Sequence, residues 1–250
     1  ITGTNGKTTT TTLVGEIMKR YQDNTFVVGN IGTPYTQEVL KTDQDSVTVA
    51  EISSFQLETA VHFHPTVSAI LNITPDHLNR HHTMENYAAV KESITKNQTK
   101  DDFCVLNYED SWLKAFAPKC PAQVIWFSSK EKLERGYYLV GSKICRNLGN
   151  GEEVLMDVEE MQLIGVHNFE NVMAAIAIAA AYGVPMKTIL DTVKHFQAVE
   201  HRIEYVATKN GVVYYNDSKG TNPDAAIQAI RAMKWPTVLI GGGYDKQNTY

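Results

Sequence analysis

Short apolar runs alternate with longer, more polar segments along the first half of the chain. The runs are rich in β-branched residues and are bounded by turn residues, which is typical of buried strands. They lie at 26–32, 46–50, 66–73, 103–107 and 124–127. Helices are predicted after the first few residues, at about 8–20, and at 84–98. Strands that alternate with helices predict an α/β fold with a mostly parallel sheet flanked by helices.

The pattern is less regular from residue 133 to about residue 196. Residues 133–158 contain short strands and turns, which we interpret as a peripheral hairpin region without visible chemistry. An Ala-rich helix then runs to Tyr182, and we expect Asn168 to cap it and Gly183 to end it. Pro185 starts a further helix that reaches about Phe196.

The pattern changes near residue 200. Asn210-Gly211 lies between two β-rich stretches and predicts a hairpin. Pro223 suits the first position of a helix, and the apolar run 237–240 predicts another strand. We therefore predict a domain of residues 1–198 and, from 199–250, the start of a second, Rossmann-like α/β domain that is truncated here.

Composition excludes several classes of protein. The 250 residues are 43% hydrophobic and 20% charged, which is ordinary for a globular protein, and the net charge of −5 argues against a nucleic-acid-binding surface. Three cysteines without metal-site spacing favour a reducing, cytoplasmic setting. No apolar run approaches the ~20 residues that span a membrane. Both ends look cut, so we expect the middle of a longer protein.

The first candidate site is the stretch Gly3-Thr4-Asn5-Gly6-Lys7-Thr8. The two glycines allow a tight turn whose N–H groups face an anion, Lys7 supplies a positive charge, and the Thr8 hydroxyl suits a phosphate-bound metal. The usual spacing requires one more glycine, and Ile1 stands in its place. A Gly/Thr-rich turn without a ligand is the alternative.

Further candidates follow the predicted strands. Glu51 ends one apolar strand and either faces Mg²⁺ or starts a helix. Asp76 and His77 follow another strand, at the edge of the sheet where ligands gather. His77 is the expected functional histidine, whereas His81 and His82 are interpreted as a surface loop.

Lys91 is ambiguous. The helix predicted after Thr83 has an apolar stripe of Met84, Tyr87, Val90 and Ile94, and Lys91 lies along it. Lysines in such positions usually extend their ammonium group to solvent. The functional alternative is that Lys91 points into the site, and spacing alone favours the first interpretation.

Several of these motifs occur together and in a fixed order. They are 2–9 (TGTNGKTT), 51–58 (EISSFQLE), 72–77 (NITPDH), 87–91 (YAAVK), 167–171 (HNFEN), 201–202 (HR) and 216–222 (NDSKGTN). In this combination the chain resembles the Mur ligases of bacterial cell-wall synthesis. The resemblance covers nearly the whole chain and corresponds to the central ATP-binding domain and the first part of the C-terminal domain.

The resemblance implies ATP-dependent formation of an amide bond through an acyl phosphate. The last motif is most similar to that of the enzymes that add D-glutamate to UDP-N-acetylmuramoyl-L-alanine, a step of peptidoglycan precursor synthesis. Asn79 and Gly220 depart from common family residues without removing a proposed ligand. The implied cofactors are ATP and two Mg²⁺ ions, with Lys91 carbamylated.

The resemblance also implies roles for individual residues. Lys7, Glu51, His77 and Lys91 would be catalytic. ATP would be bound by Gly3, Thr4, Asn5, Gly6, Lys7, Thr8, Thr9, Asn168, Asn171, Arg202 and Asp217. The substrates would be bound by Asn30, Ser53, His77, Lys219, Thr221 and Lys246. The metal ligands would be Thr8, Glu51, His77 and Lys91.

Two other hypotheses remain open. One is a different ligase of the same superfamily, similar to a folylpolyglutamate synthase, against which the 217–222 stretch argues. The other is a nucleotide-binding switch module with little catalytic activity, which would need the phosphate loop but not Glu51, His77 and Lys91. For the ligase we expect small-molecule substrates, no nucleic acid, no membrane insertion, and a bacterial, cytoplasmic monomer, whereas a switch module would exchange partners.

Overall fold

The computed structural model describes residues 1–197 and 199–243. The helices in this part of the chain are α1 Lys7–Tyr21, α2 Tyr35–Glu38, α3 Ser54–Leu57, α4 Leu78–His81, α5 Met84–Glu92, α6 Ser111–Phe116, α7 Val166–Tyr182, α8 Met186–His195 and α9 Pro223–Ala232. The strands are β1 Thr25–Gly29, β2 Val47–Glu51, β3 Val67–Ile70, β4 Phe103–Asn107, β5 Gln123–Ser128, β6 Gly136–Val140, β7 Lys143–Asn147, β8 Glu152–Asp157, β9 Glu204–Lys209 and β10 Val212–Asn216.

The first two residues join the strands into one sheet. Ile1 accepts a hydrogen bond from Ile52 N at 2.9 Å beside β2, and Thr2 N donates to Ala69 O at 2.9 Å on β3. On one side lie β2 and β1, and on the other β3, β4, β5 and β6, all parallel, followed by antiparallel β7 and β8. The mostly parallel α/β sheet is confirmed, and the loop at 3–6 emerges from its middle.

Helices cover both faces of the sheet. Alternate residues of β4 face opposite sides, so Val105 packs with α1, α7 and α8, while Cys104 and Leu106 pack with α5 and α6. The Ala-rich face of α7 contains fully buried alanines, and small side chains of this kind let helices pack closely. These two apolar layers hold the sheet and fix the loops at its edge.

Several predicted boundaries are confirmed. Thr83 accepts a hydrogen bond from Asn86 N at 3.2 Å and caps α5, and Gly183 ends α7 in the left-handed conformation. Asn210 and Gly211 both have positive φ, 52° and 78°, as a two-residue hairpin turn requires. Pro223 is the first residue of α9, after the cap Asn222.

Three predictions were wrong. α7 begins at Val166 after Gly165, whose φ is 91°, so Asn168 lies inside the helix and its amide donates to Ile164 O at 2.7 Å. The helix predicted at 84–98 ends at Glu92, where a 3₁₀ turn follows. Residues 237–240 form no strand, because no other strand among the described residues pairs with them.

Residues 199–243 form a hairpin, β9–β10, and the helix α9. In this segment Ile203, Ala225 and Ala232 are buried, and Val199 packs against the core that contains residues of α1, α7 and α8. The predicted boundary at residue 198 stays a prediction, and residue 198 lies outside the described residues. None of the helices described here is long and apolar enough to cross a membrane.

Candidate functional site

The loop between the central strand and α1 is shaped by two glycines. Gly3 has φ 148° and Gly6, which precedes α1, has φ 83°. A Cβ at Gly6 would overlap Asn171 Oδ1, so only glycine fits there. No side chain caps α1, and the N–H groups of its first turn therefore remain available for an anion. This geometry suits a phosphate.

Polar side chains brace the loop from the neighbouring strand and helix. Thr4 Oγ1 lies 3.2 Å from Tyr87 OH, donates to Thr74 O at 3.1 Å and accepts from Thr74 N at 3.0 Å. Asn72 pairs with the peptide of Asn5, accepting from its N at 2.8 Å and donating to its O at 3.1 Å. The loop conformation is thus held by residues far away in sequence.

Two lysines meet at this loop. Lys7 Nζ donates to Gly3 O at 3.0 Å and to Thr4 O at 2.9 Å, and Lys91 Nζ donates to Gly3 O at 2.9 Å. The Lys91 side chain is buried, with 2% of the residue exposed. Burial, and then the charge of Lys7, lowers the pKa of Lys91 to about 7, although Asp76 acts in the opposite direction. Of the two interpretations of Lys91, the structure supports the one in which it points into the site.

Glu51 ends β2 and is also buried, with 2% of the residue exposed. Its Oε1 accepts a hydrogen bond from Asn30 Nδ2 at 2.8 Å, while its Oε2 has no hydrogen-bond partner. A buried carboxylate oxygen without a partner is costly unless a cation or donor binds it. The Glu51 charge also raises the pKa of Lys7, which burial lowers more strongly. Of the two interpretations of Glu51, the structure shows the first: Glu51 is the last residue of a strand, and the next helix begins only at Ser54.

Two of the three histidines after β3, His77 and His81, have opposite environments. The His77 side chain is 44% exposed, lies near Phe55 and has its Nε2 3.6 Å from Asp76 Oδ2. His81 is buried, and its Nε2 lies 3.0 Å from Ser54 Oγ. Burial lowers the pKa of His81, so the neutral form is favoured. The prediction that His81 is a surface residue was wrong, because α4 turns it inward against Tyr87.

Whether the expected metal ligands suit Mg²⁺ depends on the oxygen atoms they offer. Among the described residues no cluster of three or more His, Cys, Asp or Glu has a metal-binding arrangement. The expected set of Thr8, Glu51, His77 and Lys91 holds only two residues of those types. Its fit is supported by the unpartnered Oε2 of Glu51, since Mg²⁺ prefers carboxylate oxygens.

A cleft lies between the phosphate loop, α7 and residues 199–243. It is lined by Asn5, Gly6, Leu71, Asn72, Phe127, His167, Glu170, Asn171, Arg202, Ile203, Asp217, Ala225 and Gln228. Five of the residues expected to bind ATP meet there, namely Asn5, Gly6, Asn171, Arg202 and Asp217. Asn168 is not among the lining residues, and its Oδ1 accepts a hydrogen bond from Asn171 Nδ2 at 3.3 Å. The Arg202 guanidinium lies 3.7 Å from Asp217 Oδ1.

The cleft also contains residues that the sequence analysis missed. Burial, together with the charge of Arg202, lowers the pKa of His167 to about 4. Burial raises the pKa of Glu170, which accepts a hydrogen bond from Ser129 Oγ. His167 and Glu170 flank Asn168 within one helical turn, and that spacing was the signal that could have found them.

The expected substrate residues are only partly gathered. Asn30 is held against Glu51, and Ser53 caps α3 by accepting from Gln56 N at 3.3 Å. Lys219 and Thr221 are exposed in the turn before α9. Lys246 lies outside the described residues.

Comparison with known proteins gives a consistent picture. The family model "Mur ligase middle domain" matches residues 1–179. Over 250 residues the chain is 65% identical to the UDP-N-acetylmuramoylalanine–D-glutamate ligase of Lachnoclostridium phytofermentans and 51% identical to that of Clostridioides difficile. All of this chain is covered, but only 55% of each relative, so the chain spans about half the length of the curated relatives it matches.

Solved structures agree on the fold. The structure of MurF ligase from Thermotoga maritima in complex with ADP matches with a TM-score of 0.70 at 20% identity, covering 93% of this chain and 55% of that one. MurF from Acinetobacter baumannii matches with a TM-score of 0.69 at 18% identity, covering 91% of this chain and 51% of that one. With the family model matching most of its length, the chain belongs to the Mur ligase family.

Proposed function

We propose that this chain is the ATP-binding part, with the start of the C-terminal domain, of a ligase that joins D-glutamate to UDP-N-acetylmuramoyl-L-alanine. The observation that carries the proposal is the arrangement around Gly3 O, where Lys7 and Lys91 both donate. The buried carboxylate of Glu51 lies within electrostatic range of Lys7. A phosphate loop alone would need neither Lys91 nor Glu51.

The reaction begins when the carboxylate of the nucleotide-linked substrate attacks the γ-phosphorus of ATP. The bond to the bridging oxygen of ADP breaks, and an acyl phosphate forms. The amine of D-glutamate then attacks the acyl carbon, phosphate leaves and the amine loses a proton, which gives the amide. Lys7 and the N–H groups of the first turn of α1 stabilise the phosphate charge during transfer.

Mg²⁺ would neutralise charge on the β- and γ-phosphates when bound. Thr8 and Glu51 would hold one ion, and Glu51, His77 and a carbamylated Lys91 a second. Carbamylation requires an uncharged amine, and the lowered pKa of Lys91 favours that form. The neutral lysine adds CO₂ and releases a proton, so a cation becomes an anionic ligand.

The remaining roles follow the same proposal. Asn168, Asn171, Arg202 and Asp217 would hold the nucleoside of ATP in the cleft. Asn30 and Ser53 would contact the muramoyl substrate, and Lys219, Thr221 and Lys246 would contact D-glutamate. We place the ATP-binding domain at 1–198 and the C-terminal domain from 199. The protein would act in the bacterial cytoplasm as a monomer on small-molecule substrates.

The experiment that tests this proposal uses Lys91→Ala in the intact protein from which the chain comes. A ligase loses substrate-dependent phosphate release and regains part of it with a short carboxylate such as acetate, which replaces the missing anionic ligand. Nucleotide binding should persist. Unchanged phosphate release in Lys91→Ala would contradict the proposal. A nucleotide-binding switch module, the second hypothesis, would bind ATP without substrate-dependent release in either protein.

A further inference from the structure

The side chain of Asn5, in the phosphate loop, is hydrogen-bonded to two residues at the start of α9. This side chain faces away from the braced peptide: Nδ2 donates to Asp224 Oδ2 at 2.8 Å, and Oδ1 accepts from Asn222 Nδ2 at 3.1 Å. We call Asn5, Asn222 and Asp224 the Asn5 junction. Among the described residues, the side-chain hydrogen bonds that join 199–243 to 1–197 are these two, and both end on Asn5.

The junction uses the start of α9. Asn222 is the N-cap of this helix, and its Oδ1 accepts from Ala225 N at 2.8 Å while its Nδ2 donates to Asn5. Asp224 lies in the first turn. One carboxamide therefore donates to a carboxylate and accepts from an amide, a combination that neither an alanine nor an ionised aspartate at position 5 could reproduce.

The same residue is fixed on its other side. The backbone N and O of Asn5 pair with Asn72, which follows β3, so the peptide of the loop cannot shift without breaking one of these contacts. Gly6 and the first turn of α1 come next in the chain. A displacement of α9 would thus act directly on the N–H groups that face the phosphates.

We propose that Asn5 is a positioning residue, which docks α9 on the phosphate loop and thereby sets the affinity of the loop for ATP. The inference rests on the proposed function only in taking ATP as the ligand of the loop. Because binding and docking are linked, ATP strengthens the contact with α9 by the same factor by which that contact strengthens ATP binding.

The test is a double-mutant cycle in the intact protein, with Asn5→Ala, Asp224→Ala and the double variant. The dissociation constant of Mg·ADP is measured by calorimetry, and KM for ATP, KM for the amino acid and kcat are measured in parallel. Each single variant should weaken ADP binding about 10-fold, and the double variant should be little worse than either. Such coupling corresponds to roughly 1.4 kcal/mol. KM for ATP should rise, with KM for the amino acid unchanged.

Arg231→Ala provides the matched control, since Arg231 is an exposed charged residue in the last turn of the same helix. Combined with Asn5→Ala it should be additive. The exchange Asn5→Asp with Asp224→Asn should restore ADP binding to within about 3-fold of the original protein, because donor and acceptor change places. Additive effects for Asn5→Ala and Asp224→Ala would overturn the inference.

The cycle separates this inference from the proposed function. If the original protein binds ADP but forms no amide, the ligase proposal fails, and the coupling in ADP binding still tests the junction. If the protein binds no nucleotide, both fail. Thermal unfolding of each variant, which should occur within a few degrees of the original protein, shows whether the fold is retained.

Discussion

Lys7 and Lys91 donate to the same backbone oxygen, that of Gly3, at 3.0 and 2.9 Å. Two ammonium groups so close to one acceptor disfavour each other, and burial together with the charge of Lys7 lowers the pKa of Lys91 to about 7. Lys91, on α5, therefore brings to the phosphate loop an amine whose neutral form is well populated near pH 7. The proposal of a ligase site rests on this relationship.

Lys91 should take up CO₂. Since burial and Lys7 lower its pKa to about 7, the neutral amine predominates above that pH, and the carbamate should accumulate as pH rises from 6 to 8.5. Carbon-13 NMR with labelled bicarbonate should show one carbamate signal that strengthens with Mg²⁺. Lys91→Ala serves as the control and should lack it. If the original protein shows no such signal with labelled bicarbonate and Mg²⁺ at pH 8.5, the expectation is contradicted.

Glu51→Gln should separate metal binding from nucleotide binding. The Asn30 contact can persist through the glutamine oxygen, but the anionic oxygen that would face Mg²⁺ is lost. We expect about a 10-fold or greater loss of ADP affinity with Mg²⁺ present and a change below about 3-fold without metal, so the two losses should differ by at least about 0.7 kcal/mol. Calorimetry with and without Mg²⁺ measures both. Equal losses under the two conditions would mean that Glu51 does not act through a cation.

Gly6→Ala should destabilise the protein more than Gly141→Ala. Both glycines have positive φ, 83° and 58°, but a Cβ at Gly6 would overlap Asn171 Oδ1, whereas Gly141 has nothing within 4 Å. Left-handed strain costs about 1–2 kcal/mol, so we expect roughly that loss for Gly141→Ala and about 2–4 kcal/mol for Gly6→Ala. Urea unfolding provides the comparison. Equal losses would show that Asn171 moves aside without cost.

His167 should make the protein sensitive to acid. Its pKa is about 4 in the fold and near 6.5 when unfolded, so the unfolded chain binds more protons between these values. The stability associated with neutral His167 is complete above about pH 6.5 and is lost as pH falls through 4. His167→Gln should remove up to about 2–3 kcal/mol of this pH dependence.

Unfolding free energies at pH 7 and pH 4.5 test this expectation, with His62→Gln as the control because His62 is exposed. The difference between the two pH values should shrink in His167→Gln and stay nearly unchanged in His62→Gln. An unchanged difference in both variants would mean that His167 accepts a proton in the fold without loss of stability.

The strand pattern alone located Glu51, because a β-branched run that ends in an acid predicts both the strand and the edge of the sheet. It could not decide Lys91, since a lysine beside an apolar stripe can face solvent or the interior, and only the packing of α5 against the loop settles that. Asn168 was misassigned because Gly165, with its positive φ, starts the helix earlier. The Asn5 junction joins residues more than two hundred positions apart, and no local sequence pattern predicts such a contact.

The central claim is tested most directly by phosphate release from ATP, catalysed by the intact protein with UDP-N-acetylmuramoyl-L-alanine and a panel of amino acids. We predict release with D-glutamate and none above background with L-glutamate, D-aspartate or L-lysine. Release with a different amino acid would keep the ligase and contradict the D-glutamate assignment. A protein that binds ATP but releases no phosphate with any pair would contradict the claim itself.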